Sequence, residues 1–288
     1  MRLDGTVTDQ GDGGWTAIIP VKALSQAKSR MPGGMGTAGA LALAFFQDTL
    51  AAVRSCPTVV EVIVVTEDPV IQAWARDSAC AVVSDAGHPG INAAARWADR
   101  NRGASGPTAV IVSDLPCLTS AALTEALDLA RGYLTAFVAD ADGTGTTIWM
   151  AASGVAIDPS FGEDSRAAHV RGGAIDLVAD HPDRAAVLAA ARRDVDTGAA
   201  LAEARALGIG PYSQRAISAP DRPTTQAEIM MTVATSDETT VTLVDESGTR
   251  RVTPWASATA AGLRRARPGQ RLAAALDGTG EIAALRLP

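Results

Sequence analysis

The feature that most constrains the fold is a regular alternation of short apolar segments and helical patterns in the first half of the chain. Each apolar segment is rich in β-branched residues, which predicts a buried strand, and each is followed by apolar residues at helical spacing. The predicted strands are 15–21, 59–66, 81–84 and 108–114, and the predicted helices are 40–53, with Thr37 as N-cap, 69–79, 91–101 and 120–132. Such strands are typical of a mostly parallel sheet with helices on both faces, so the sequence predicts an α/β fold.

The alternation loosens after residue 136 and changes character near residue 216. Strands are predicted at 137–140, 146–152 and 174–180, and helices at 181–191 and 194–207. Short strands separated by turns then predict a small C-terminal β-barrel. We therefore expect four parts: a flexible tail at 1–14, a large domain at 15–217, a linker at 218–226 and a barrel without an assigned role at 227–288.

Composition excludes several classes of protein. The formal net charge of −7 argues against nonspecific nucleic-acid binding, which needs a basic face. No apolar run approaches the roughly 20 residues that span a bilayer, so we expect no membrane association. Cys56, Cys80 and Cys117 are far apart, which favours reduced thiols in a cytoplasmic protein over a zinc site or a disulfide framework.

Three cations follow the first predicted strand, at the edge where sheets of this kind bind ligands. Lys22 comes directly after the strand, and Lys28 and Arg30 lie farther along the same loop. No acidic residue lies among them, so we interpret the loop as a binding site for nucleotide phosphates. Solvated surface charge is the alternative interpretation.

Aspartates in two distant segments are candidate metal ligands. Asp114 ends the fourth predicted strand, where a carboxylate suits Mg²⁺, although it would equally well cap the following turn. Asp194 and Asp196 are two residues apart, so in an extended chain both lie on one face. Capping of the next helix is the interpretation that the local sequence favours, but a metal at Asp114 needs a second carboxylate segment.

Two further segments are candidate anion sites. In FGEDSRAAHVRGG (161–173), a loop opens a helix whose N–H groups, with Arg166 and Arg171, would attract an oxyanion. The alternative is that Ser165 is an ordinary N-cap, and His169 alone indicates no function. In DGTGTT (142–147), Thr146 and the close backbone would bind a small anion, whereas a type I′ turn explains the glycines without a ligand.

These motifs occur in one order: IIPVKALSQAKSRM, SDLPCL, DGTGT, FGEDSRAAH and RRDVDT. Together they resemble the guanylyltransferases that make the activated phospho-acid precursor of the deazaflavin coenzyme F420. The resemblance covers about residues 15–217. That family is similar to the molybdopterin-cofactor guanylyltransferases, which implies a Rossmann-like nucleotidyltransferase fold of the GT-A/MobA-like type.

The resemblance implies transfer of GMP from GTP to a small phospho-acid, with release of pyrophosphate and with Mg²⁺ as cofactor. Phosphoenolpyruvate is favoured over 2-phospho-L-lactate, because three of the motifs look closest to that branch. The implied roles are phospho-acid binding by Thr146, Gly162 and Ser165, metal binding by Asp114, Asp194 and Asp196, and contact with the GTP phosphates by Lys22, Lys28 and Arg30. Hand-over of the product to the downstream transferase of the F420 pathway is a further expectation.

Other functions remain open at this point. The acceptor of GMP is alternatively 3-phosphoglycerate, molybdopterin or a sugar phosphate, or the chain is a non-catalytic nucleotide- or nucleic-acid-binding module. Residues 262–288 are similar to the end of a cold-shock-type OB barrel, but Trp255 is the barrel's one prominent aromatic residue. Because base stacking needs clustered aromatics, we favour a role in homo-oligomerisation, packing or regulation over RNA binding.

Overall fold

The computed structural model describes residues 13–24, 34–85, 87–88, 90–102, 106–218, 229–237, 239–254, 267–276 and 282–286. The chain divides into two compact units, Met1–Ser218 and Ala219–Pro288. Each unit contains its own sheet. Within the described ranges, every helix is too short or too polar to span a bilayer.

The first unit alternates strands and helices as the hydrophobic pattern predicts. Its strands are β1 (Trp15–Pro20), β2 (Val59–Val65), β3 (Ala81–Val83), β4 (Thr108–Ile111), β5 (Thr135–Ala139), β6 (Thr146–Ala151) and β7 (Ile175–Asp176). Its helices are α1 (Gly34–Arg54), α2 (Pro69–Asp77), α3 (Ile91–Asn101), α4 (Ser120–Ala130), α5 (Ser165–Arg171), α6 (Leu177–Asp180), α7 (Ala185–Leu188), α8 (Gly198–Leu207) and α9 (Pro211–Ser218).

The seven strands form one sheet in the order β3-β2-β1-β4-β6-β5-β7. Strand β6 pairs antiparallel with both β4 and β5, and the other pairings are parallel. Two separate hydrophobic clusters cover the faces of the sheet: Ile19, Phe46 and Ile148 belong to one, and Ile18 and Trp149 to the other. The predicted α/β fold with a mostly parallel sheet is therefore confirmed.

Several predicted boundaries are wrong for local reasons. The strand predicted at 174–180 is a strand only at Ile175–Asp176, because the Asp176 carboxylate accepts hydrogen bonds from the N–H groups of Val178 and Ala179 and caps helix α6. Thr37 is not an N-cap, since α1 begins at Gly34. The helix predicted over 194–207 begins at Gly198, with the Thr197 hydroxyl accepting the Ala200 N–H, which leaves Asp194 and Asp196 outside it.

The end of the first unit is held by a buried carboxylate on α1. Asp48 is 4% exposed and accepts hydrogen bonds from the N–H groups of Tyr212, at 3.0 Å, and Ser213, at 2.8 Å. These N–H groups lie in the first turn of α9, where a helix leaves its donors without intrahelical partners. A side chain at Gly210 would collide with the same carboxylate, so glycine is required for this close approach.

The second unit is a five-stranded antiparallel sheet. Its strands are β8 (Ile229–Ser236), β9 (Thr240–Asp245), β10 (Arg250–Pro254), β11 (Arg271–Leu276) and β12 (Ile282–Arg286), in the order β10-β9-β8-β11-β12. Met231, Leu243 and Leu272 are among the residues of its small core. The predicted short strands are present, whereas an OB-like barrel is not confirmed. Trp255 lies outside the described residues.

Candidate active site

The sheet of the first unit has a switch point between β1 and β4. The chain leaves β1 toward β2 on one side, while β4 lies on the other, and at such a point ligands are expected in a crevice at the carboxyl ends of the two strands. Lys22 is exposed just beyond β1 at this edge. The Leu24 N–H donates to Asp68 Oδ2 at 2.8 Å, so the start of the cationic loop is attached to the first turn of α2. Lys28 and Arg30 lie outside the described residues.

Two segments that are distant in sequence meet next to this crevice. Asp114 follows β4, and its carbonyl oxygen accepts the Val195 N–H at 3.2 Å. The Ala141 N–H, just beyond β5, donates to the Arg192 carbonyl at 2.9 Å. The segment 192–195 therefore crosses the carboxyl ends of β4 and β5. This crossing brings Asp194 close enough to Asp114 for their charges to interact, and Asp196 also acts on Asp194.

Two arginines anchor the segment 192–195. The Arg192 guanidinium donates to the carbonyl of Ala139 at 3.1 Å and to the carbonyl of Asp140 at 2.8 Å. Arg193 forms ion pairs with Asp142 at 3.0 Å and with Glu203 at 2.8 Å. The guanidinium of Arg192 satisfies the last carbonyls of β5, where a strand end leaves acceptors without sheet partners.

We call Asp114, Asp140, Asp194 and Asp196 the acidic edge. Burial first, and then the charges of Asp114, Asp196 and Asp140, raise the pKa of Asp194 to about 7. Carboxylates that repel one another at a partly buried position are an arrangement that a divalent cation stabilises, and carboxylate oxygens suit Mg²⁺. In the described part of the chain, no three His, Cys, Asp or Glu side chains are already arranged to hold a metal ion. The predicted ligand set therefore stays a prediction.

The antiparallel direction of β6 places its first residue, Thr146, at the same edge as the carboxyl ends of β4 and β5. Val138 pairs with Ile148, but Ala139 pairs with Thr146, so Thr147 is the extra residue of a β-bulge. The Thr147 hydroxyl donates to the Ala191 carbonyl at 2.7 Å. Thr146 contacts His169 instead, on the face of the sheet that carries Phe137 and Trp149.

Thr146, Ser165 and His169 form what we call the hydroxyl pocket. They are 7%, 2% and 3% exposed, respectively. His169 Nδ1 lies 2.9 Å from Thr146 Oγ1, and His169 Nε2 accepts the Ser160 N–H at 2.8 Å. Burial lowers the pKa of His169 to about 4, so the ring is neutral at physiological pH. Ser165 lies one helical turn before His169 on α5, which places both predicted hydroxyl contacts in one neighbourhood.

The start of α5 shows that Ser165 is not the N-cap. The N-cap is Asp164, in the left-handed conformation and without a side-chain hydrogen bond, and Ser165 is the first helical residue. Gly162 has φ +138°, a conformation that residues with a side chain rarely adopt. Arg166 is already engaged within the protein, since it pairs with Asp176 at 2.8 Å and donates to the Gly143 carbonyl at 3.1 Å, and its expected attraction for an oxyanion stays a prediction.

The loop 140–145 joins Asp140 of the acidic edge to Thr146 of the hydroxyl pocket. Asp140 Oδ1 accepts the Thr144 N–H at 2.9 Å, and the Asp140 N–H donates to the Gly145 carbonyl. A side chain at Gly145 would collide with the Asp140 carboxylate, so the glycine of GTGT is required for packing. Sequence reasoning missed Asp140, Arg192 and the contacts of His169. The sequence indicates these residues only by their position in or beside the motifs that it does reveal.

Comparison with known proteins gives consistent matches over the first unit. A family model described as "Guanylyl transferase CofC like" matches residues 15–173. The phosphoenolpyruvate guanylyltransferase of Salinispora arenicola is 43% identical over 201 residues, which cover 68% of this chain and 90% of that protein. The phosphoenolpyruvate guanylyltransferase of Streptomyces coelicolor is 43% identical over 202 residues, which cover 68% and 92%.

Among solved structures, a nucleotidyl transferase from Methanothermobacter thermautotroptrophicus is similar at 17% identity with a TM-score of 0.49. The alignment covers 67% of this chain and 96% of that chain.

Proposed function

The chain belongs to the CofC-like guanylyl transferase family, and on that premise we propose that it transfers GMP from GTP to the phosphate of phosphoenolpyruvate. Pyrophosphate is the second product. We place the reaction in the biosynthesis of coenzyme F420, where a downstream transferase receives the guanosine-diphosphate-linked acid. The naming of relatives at 43% identity supports phosphoenolpyruvate over 2-phospho-L-lactate as the acceptor.

The observation that carries this proposal is the crossing of segment 192–195 over the carboxyl ends of β4 and β5. The backbone hydrogen bond from Val195 to Asp114 joins the two segments that carry the predicted metal ligands, and this supports a shared metal site near the end of β4. The hydroxyl pocket begins at Thr146 on β6, the next strand of the sheet. Sites for a nucleotide and for a small acid at adjacent strand ends are what transfer between them requires.

The chemistry needs no activated serine or cysteine, because the acceptor phosphate is itself a nucleophile. One of its oxygens forms a bond to the α-phosphorus of GTP, and the bond from that phosphorus to the leaving pyrophosphate breaks in line with it. Thr146, Gly162 and Ser165 hold the phospho-acid, and Lys22, with Lys28 and Arg30, binds the GTP phosphates. Asp114, Asp194 and Asp196 would hold Mg²⁺, which neutralises the phosphate charges that meet there.

The test is an assay of the purified chain with GTP, Mg²⁺ and one acceptor at a time. We expect pyrophosphate release with phosphoenolpyruvate, and mass spectrometry should identify the guanylylated acid. Phospholactate, 3-phosphoglycerate, molybdopterin and a sugar phosphate complete the panel. A higher kcat/KM with any of these four acceptors would overturn the assignment of the substrate. No transfer to any acceptor would favour a non-catalytic nucleotide-binding module.

A further inference from the structure

The hydrogen bonds of His169 define which nitrogen carries its proton. The Ser160 backbone N–H is a donor in every protonation state, and it points to His169 Nε2 at 2.8 Å. Nε2 must therefore be the acceptor. A neutral imidazole has one donor and one acceptor nitrogen, so the proton lies on Nδ1.

This tautomer decides the direction of the Thr146 hydroxyl. Because Nδ1–H donates to Thr146 Oγ1 at 2.9 Å, the threonine oxygen is an acceptor in that bond. The hydroxyl proton of Thr146 is then directed to a different acceptor. An oxyanion of a phosphorylated acid is such an acceptor, and hydrogen bonds to charged groups are stronger than neutral ones.

The surroundings keep the ring in this orientation. The rings of Phe137 and Phe161 lie 5.4 and 5.7 Å from the imidazole, and that of Trp149 lies 6.5 Å away. With 3% of the residue exposed, an imidazolium would place its Nε2–H against the Ser160 N–H without water to separate them, and a flipped ring would place Cε1–H there, which accepts no hydrogen bond. Ser160 lies two residues before Gly162, so the same ring also positions the loop that opens α5.

We propose that His169 is a positioning residue for the phospho-acid, which fixes the Thr146 hydroxyl as a hydrogen-bond donor to the substrate and holds segment 160–162 beside it. This assignment rests on the proposed function for the identity of the anion. The proposal adds His169 to the three predicted contact residues. Nδ1 of its ring orients Thr146, and Nε2 holds Ser160. His169 itself does not touch the substrate.

The two tasks are separable by substitution. In His169→Asn the amide lies near the position of Nδ1, so it can donate to Thr146 but does not reach Ser160. In His169→Gln the amide lies near the position of Nε2, so it can accept from Ser160 but does not reach Thr146. Both variants lose the same packed ring, so each is the matched control for the other. We expect His169→Gln to raise the KM for phosphoenolpyruvate by about tenfold and His169→Asn by no more than about threefold. The KM for GTP should stay unchanged in both.

A merely structural role predicts a different result. Both variants would then lose kcat/KM equally for phosphoenolpyruvate and for GTP, and the loss would follow the decrease in melting temperature. A second check combines His169→Gln with Thr146→Val, which removes the hydroxyl. If the histidine acts through that hydroxyl, the double variant is no more than about twofold worse than Thr146→Val alone. The proposal would be overturned if the increase in the KM for phosphoenolpyruvate in the double variant equals the product of the increases in the two single variants.

A ¹⁵N NMR measurement of the His169 ring in the full-length chain tests the tautomer without any assay of activity. We expect a protonated Nδ1 and an unprotonated Nε2, and a change in the Nδ1–H resonance when phosphoenolpyruvate is added. A proton on Nε2 would overturn the proposal even if the enzyme is active. Absence of transfer with the expected tautomer and the expected response to phosphoenolpyruvate would instead overturn only the proposed function.

Discussion

The acidic edge and the hydroxyl pocket lie at neighbouring strand ends, but they are stabilised in opposite ways. In the acidic edge, like charges and burial raise the pKa of Asp194 to about 7, and the backbone segment that carries it is held by Arg192. In the hydroxyl pocket, a neutral ring has both nitrogens in hydrogen bonds within the protein. The pocket is thus pre-organised by the protein alone, whereas the repulsion in the edge is relieved by a proton on Asp194 or by the cation that we propose.

Among the substitutions, the largest expected loss of kcat/KM is that of Asp114→Asn in the acidic edge. Asp114→Asn keeps the shape of the side chain but removes a charge that the proposed metal site needs. We expect kcat/KM to fall by about a hundredfold or more, because a metal ligand is lost. Asp128→Asn, in an exposed pair with Arg131 on α4, is the control and should keep wild-type kinetics. Full activity in Asp114→Asn would refute the metal assignment.

Removal of the divalent cation should affect transfer and the binding of phosphoenolpyruvate differently. With a chelator present, we expect transfer to stop while phosphoenolpyruvate still binds, since the hydroxyl pocket contains no predicted metal ligand. Calorimetric titration of phosphoenolpyruvate with and without Mg²⁺ measures this. A complete loss of phosphoenolpyruvate binding without Mg²⁺ would show that the two regions are not separable.

Arg192 tests whether the acidic edge depends on the crossing segment. Arg192→Leu removes the donors to the carbonyls of Ala139 and Asp140, which leaves buried acceptors unsatisfied at a cost of about 1–3 kcal/mol. We expect a lower free energy of unfolding in urea and a kcat about tenfold lower, because Asp194 loses its position. An unchanged kcat in a destabilised variant would separate the crossing from catalysis.

Much of this fold follows from the sequence, and the reasons for the remainder are physical. Continuous apolar runs such as 59–65 predict the parallel strands, and a strand end predicts the position of Asp114. The helix at 177–180 was missed because the capping by Asp176 outweighs an apolar pattern that also fits a strand. The crossing segment was missed because Arg192 binds carbonyls on β5 that are distant in sequence. The role of His169 depends on a backbone N–H, which no side-chain pattern shows.

The hydroxyl pocket should show its own pH dependence. The pKa of His169 is about 4 in the folded chain and near 6.5 when unfolded, so the unfolded state binds more protons between these values. Stability is therefore lost as pH falls from about 6.5 to 4, by up to about 3 kcal/mol from this residue. Urea unfolding of the wild type and of His169→Gln at a series of pH values measures this loss. The difference between their free energies of unfolding should shrink as pH falls through this window. Parallel curves would contradict the buried neutral ring.

Ser165 gives the smallest expected effect. Ser165→Ala removes one hydroxyl from the pocket without changing the helical backbone of α5. We expect the KM for phosphoenolpyruvate to rise by about threefold to tenfold with kcat and the KM for GTP unchanged, as for the loss of a single hydrogen bond. A change in the KM for GTP alone would place Ser165 at the nucleotide instead.

The most direct test of the central claim is a double-mutant cycle of Mg²⁺ binding in the presence of GTP. Asp114→Asn, Asp194→Asn and the double variant are titrated by calorimetry beside the wild type. If the two segments share one ion, each single variant loses most of the Mg²⁺ affinity, and the double variant loses little more than either of them. If the two losses in free energy add in full, Asp114 and Asp194 do not bind the same metal, and the account of this site is contradicted.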